Sequence, residues 1–217
     1  MQAHIVLKHK ERLRAIIDQA YILLCNKIAG KEIVVNNEAS MQLQLGSLIK
    51  SLGVLYEFSS IDRFHIELET PESISETAKS KKGARCDIKV AFFEGRQKTP
   101  KAQAFIELKY FKIPSADSST EATTDNRFGV LMDIENLERY QEELRVNDSP
   151  KPLCYEIVFA ENSTYYLAKR ATNYDIGENV MSEQSYSYSG KTVHLNKSYV
   201  FHWDKYSETQ YWLKIEI

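Results

Sequence analysis

The chain reads as a single α/β domain, a mixed central sheet flanked by helices with an aromatic-rich β extension over residues 161–217. Three observations predict this. Two segments of two-residue alternation, 84–92 and 102–110, are joined by a connection short enough for an antiparallel hairpin. Apolar residues at helical spacing bracket them, in 8–29 and 37–53 before and 129–146 after. An apolar run from Leu153 to Phe159 then reads as a strand buried on both faces. At 217 residues, 43% hydrophobic and 27% charged, the chain can bury a core and has ordinary globular composition.

Element by element, Leu13, Ile16, Ile17, Ala20, Leu24 and Ile28 form the stripe of a first helix that Gly30 ends. A second helix from Asn37 carries Met41, Leu45, Leu48, Ile49 and Leu52 inward, and Gly53 is expected to stop it. Leu55 to Leu68 reads as extended, most regularly at Phe64, Ile66 and Leu68, and Thr70 to Gly83 as an exposed polar loop. In the first alternating strand Cys86, Ile88, Val90 and Phe92 face one way, and Arg85, Asp87 and Lys89 the other. In the second, Ala104, Ile106, Leu108 and Tyr110 oppose Gln103, Phe105, Glu107 and Lys109. Residues 113–127 are rich in Ser, Thr and Asp and read as a loop. Leu131, Ile134, Leu137 and Leu144 then mark a helix that Pro150 and Pro152 close off. The aromatics beyond Glu161, among them Tyr186, Phe201, Trp203, Tyr211 and Trp212, suit a β core better than base stacking or a dimer face.

Several function classes drop out. No apolar run reaches the length of a membrane span, and Met1 to Lys10 lacks the apolar centre of a secretory signal. Cys25, Cys86 and Cys154 are odd in number and far apart, which fits a reducing cytoplasm rather than a disulfide framework or a thiolate zinc site. The five His show no metal-ligand spacing, and there is neither a Gly-rich phosphate loop nor a local nucleophile signature. A net charge of -2 argues against a surface that grips nucleic acid everywhere, but leaves room for a basic cleft.

The chemistry gathers on the hairpin. Acid-x-Lys triplets are expected by chance in so charged a chain, and two occur, Asp87-Ile88-Lys89 and Glu107-Leu108-Lys109. Context raises the second. Glu107 and Lys109 leave one face of their strand, Asp87 leaves the matching face of its partner, and apolar faces lie behind both. Hydrolysing a phosphodiester calls for a hard divalent cation held by oxygen ligands, which polarises the phosphate and activates a water. Asp87 and Glu107 would be the ligands, with the Leu108 carbonyl a third oxygen, and the Lys109 ammonium would sit beside water and phosphate. The bland alternative is a solvated polar face on which Lys109 pairs with Asp87.

In these residues the chain resembles the PD-(D/E)XK nuclease superfamily, the restriction-endonuclease-like fold, over roughly 36–160. Cys86 stands where the motif has its proline. The resemblance implies a Mg²⁺-dependent endonuclease, with Mn²⁺ as a substitute, acting on double-stranded DNA in restriction or phage defence. A homodimer would be needed to cut a palindrome symmetrically. Members often add a Glu from the helix before the strands. Glu38 fills that place, three before Met41 and seven before Leu45, although a first-turn acid favoured by the helix dipole would look the same. Gln42, one turn on, would line the cleft, and Lys79, Lys81, Lys82 and Arg85 would grip phosphates beside Asp87. A catalytically silent nucleic-acid-binding or assembly module is the alternative the same resemblance admits.

Overall fold

A computed structural model of the chain describes residues 7–71, 85–113, 120–143, 151–167 and 174–217. Helix α1 (His9–Ala29) buries the stripe that its spacing predicts. Helix α2 (Glu38–Leu55) is started by Asn37, whose side-chain oxygen accepts the Ser40 N–H at 2.8 Å, while the Ser40 hydroxyl accepts the Asn37 N–H at 3.1 Å. This reciprocal cap fixes Glu38 as the first helical residue.

Gly53 does not stop α2, which runs on to Leu55, so the extended segment begins later than its sequence suggests. A Cβ at Gly53 would lie 2.1 Å from the Phe64 ring, so this glycine serves the close approach of β1 (Asp62–Pro71) rather than a chain reversal. Strands β2 (Arg85–Glu94) and β3 (Ala102–Phe111) form the expected antiparallel hairpin. Thr70 belongs to β1, and the expected basic residues Lys79, Lys81 and Lys82 lie outside the described residues.

Helix α3 (Thr120–Glu143) corrects the loop expected over 113–127, since residues from Thr120 onward are helical. Its early turns carry little apolar periodicity because polar contacts anchor them. Arg127 is buried and bonds Asp175 and the Thr164 and Leu167 carbonyls. Strand β4 (Leu153–Ala160) is buried at every residue, as its apolar run implies.

The hairpin of β5 (Ser185–Tyr188) and β6 (Lys191–His194) stands apart from the sheet, and β7 (Trp203–Ser207) and β8 (Gln210–Glu216) follow it. The central sheet runs β1-β2-β3-β4-β8-β7, antiparallel at every junction except β3–β4, which is parallel and crossed over through α3. Strands β7 and β8 thus extend the sheet itself. On one face Ile88, Val90, Ile106, Leu108 and Ile157 pack under α1 and α2. On the other, Phe105, Cys154 and Val158 pack under Leu131, Ile134 and Leu137 of α3. Cys86 joins this second cluster, although alternation groups it with Ile88. Among the described residues no helix is long and apolar enough to cross a membrane.

Candidate functional site

The β2–β3 ladder runs from Phe92–Ala102 to Ile88–Ile106 and stops there. Beyond it the strands fork. The Asp87 carboxylate accepts the Leu108 N–H at 2.7 Å. Cys86, in the place of the motif's proline, is buried in the fork, its sulfur 3.2 Å from the Ile88 carbonyl and 3.5 Å from that of Ile106. The sheet therefore opens at the residues expected to carry chemistry.

Asp87 and Glu107 lie together at the fork, close enough that the charge of Asp87 acts on the Glu107 carboxyl. Burial pushes the Glu107 carboxyl up to about 9, and the nearby charges of Asp133 and Asp87 add to this. Burial also lifts Asp87, to about 6, against the stabilising Leu108 N–H. The pair therefore retains a proton near neutrality.

Lys109 shares their face and is half-buried, its Nζ 2.7 Å from Asp133 Oδ2. Burial disfavours its charge, but Asp133, with Glu38 adding to it, outweighs that, so its pKa rises and it stays an ammonium. It does not pair across to Asp87 as the bland reading supposed; its salt bridge goes to α3.

Glu38 is half-buried; burial raises its pKa while the nearby charge of Lys109 holds it down. It thus reaches the fork from α2. Gln42 does not offer its amide to a ligand. It is buried, and Nε2 donates to the Asp87 carbonyl at 2.7 Å and to Glu69 at 3.1 Å, bracing the strand that carries Asp87. Arg85 is exposed at the start of β2.

Three further residues join the site. Asp133 lies three after Val130 and four before Leu137, on the inner stripe of α3, by the same spacing that exposes Glu38. Glu156 pairs in register with Glu107, is fully buried, and has neither carboxylate oxygen hydrogen-bonded among the described residues. Its signal was a single acid inside an otherwise apolar run. Glu69 sits between the Leu68–Ile88 and Thr70–Cys86 pairs, beside Asp87, with a left-handed φ of 52°. No sequence pattern marks that strain.

The site offers hard oxygen donors. Mg²⁺ is commonly held by one or two carboxylates with waters and substrate phosphates completing its shell, and the neighbouring carboxyls of Asp87 and Glu107 suit that role. Among the described residues, no three His, Cys, Asp or Glu side chains are arranged to hold a metal ion by themselves. Compared with known proteins, the chain matches no family model, no curated protein and no solved structure.

Proposed function

We propose that the chain is a Mg²⁺-dependent nuclease that hydrolyses phosphodiester bonds at the fork between β2 and β3. The observation that carries this reading is the gathering of Asp87, Glu107, Lys109 and Glu38 at the fork: the Asp87 carboxylate holds the Leu108 N–H between Glu107 and Lys109, and the charge of Glu38 on α2 acts on both Asp87 and Lys109. DNA as the substrate, and a homodimer for cutting a palindrome, rest on the resemblance to PD-(D/E)XK nucleases.

Asp87 and Glu107 would hold the cation, with the Leu108 carbonyl as a further oxygen and Glu38 flanking it. When bound, the ion supplies positive charge at the phosphate and a water of lowered pKa. The chain's own residues do the rest. The Asp87 contact to the Leu108 N–H keeps the fork open at a fixed width. The Lys109 ammonium would orient a water and offset charge on a phosphate oxygen. Asp133 positions that ammonium from α3.

The test is cleavage of duplex DNA with Mg²⁺ or Mn²⁺, with metal titration calorimetry alongside and circular dichroism to verify each variant's fold. Lys109→Ala is expected to retain metal binding and lose about 10²-fold or more in cleavage rate. Asp87→Ala should lose metal binding and cleavage together. Wild-type cutting by the Lys109 variant would sink the mechanism.

A second reading, the catalytically silent binding or assembly module, draws support from one contact: the Lys109 ammonium is engaged by Asp133 at 2.7 Å. Metal binding by the wild type without cleavage of DNA or RNA would favour it.

A further inference from the structure

We infer that the face of β1 and β2 that lies beside α3, uncovered by helix among the described residues, is a binding track for a nucleic-acid backbone, with Arg63, Arg96 and Lys98 holding its phosphates. The inference rests on the nuclease reading for the identity of its ligand, and on separate residues for the surface itself.

Alternation and register build the track. Arg63 pairs with Phe93, His65 with Ala91 and Glu67 with Lys89, so these side chains share the face from which Asp87 projects. Among the described residues, helix α3 packs on β3 and β4 rather than on the outer pair. Arg63 and His65 are exposed, and Phe93 and Lys89 half-buried. At the hairpin end, Arg63, His65, Phe93, Arg96 and Lys98 line a groove of about 630 Å³.

The charges in this groove are unequal. Its two carboxylates are hydrogen-bonded within the protein, against three cations. Glu67 bonds His65 at 2.8 Å and Thr70 at 3.2 Å, and Glu57 accepts the Phe64 N–H at 2.6 Å. Its cations have no carboxylate partner among the described residues. Among the described residues, Arg96 and Lys98 have no ion-pair partner. Arg63 lies 5.6 Å over the Phe93 ring and bonds only the Gln97 carbonyl, which leaves its positive charge uncompensated.

Length matches as well. Six residues of strand separate Asp87 from Phe93, about 20 Å at the usual rise. Successive phosphates of one DNA strand lie about 6–7 Å apart along the strand, about twice their spacing along the helix axis, so the track meets about three of them and ends at the fork. Continuity with Asp87 favours a long polyanion over a small anion, because only a polymer would occupy both ends at once.

The experiment is fluorescence anisotropy of a labelled duplex DNA in EDTA, where cleavage cannot interfere, over a series of salt concentrations. The triple variant Arg63→Ala/Arg96→Ala/Lys98→Ala should bind at least about tenfold more weakly, with the log-log salt slope smaller by about three. Arg96→Ala/Lys98→Ala, confined to the exposed turn, should reduce the slope by about two and guards against a folding defect. Removing exposed Lys31, Lys50 and Lys191 together should change the slope less. Unchanged affinity and slope in the triple variant, or no binding by the wild type, overturns the proposal. Binding that depends on these residues without cleavage in Mg²⁺ would leave the track standing and remove the nuclease reading. Cleavage undiminished in the triple variant would do the reverse.

Discussion

Glu156 is the residue whose chemistry is most constrained. It is fully buried with neither oxygen hydrogen-bonded among the described residues, and burial, then the charge of Asp133, pushes its pKa far above the usual carboxylate range. It therefore stands as a neutral acid, leaving the Lys109 charge to Asp133 and to any phosphate. Glu156→Gln, neutral and nearly isosteric, should leave the melting temperature at pH 8 unchanged or raise it; a large fall would mean an ionised, paired Glu156. Lys109→Ala should behave oppositely. It strips the cation from Asp133 and its acidic neighbours, costing about 3–5 kcal/mol at alkaline pH. The cost should shrink in acid, where the carboxyls take up protons, and denaturant melts at both pH values measure it. Asp87, Glu107 and Lys109 were legible because strand alternation fixes which way a side chain leaves the sheet. Glu156 was not, because a lone acid in an apolar run gives no sign of which charges will surround it.

At the scale of elements, legibility followed apolar periodicity. The hairpin and α1 emerged close to their observed bounds because their inner faces are apolar throughout. The start of α3 was hidden because buried Arg127, bonded to Asp175, anchors it where Leu or Ile would normally announce a helix. Gly53 misled for a related reason, since a glycine that ends a helix and one that admits a neighbouring ring look alike in sequence. Gly53→Ala separates them. Helix propensity alone would favour alanine by about 1 kcal/mol. A Cβ 2.1 Å from Phe64 must instead displace the ring, so we expect a net loss of about 1–3 kcal/mol in urea unfolding. A gain would show that β1 adjusts freely.

For the whole molecule, stability without metal should peak in mild acid. Asp62 is buried, yet Arg12 and His9 hold its pKa down to about 2, so its contribution is full above the ordinary Asp range and fades as pH falls toward 2. Asp87 and Glu107 act on the other side. Their pKa values of about 6 and about 9 exceed unfolded values, so the folded state keeps protons that the unfolded chain has released. Stability should fall by about 1.4 kcal/mol per pH unit for each such group between those limits. Urea melts in EDTA from about pH 5 to about pH 8 should show the decline, and Glu107→Gln should flatten it. The order of the strands carries a consequence for biosynthesis. Strand β4 lies between β3 and β8, but β8 is translated only after the β5–β6 hairpin and β7. Until then a nascent chain holds β4, buried at every residue in the finished protein, with one edge bare. A ribosome stalled in that interval would display an adhesive strand to its neighbours, so the protein's yield in a cell depends on how quickly its last strands are made.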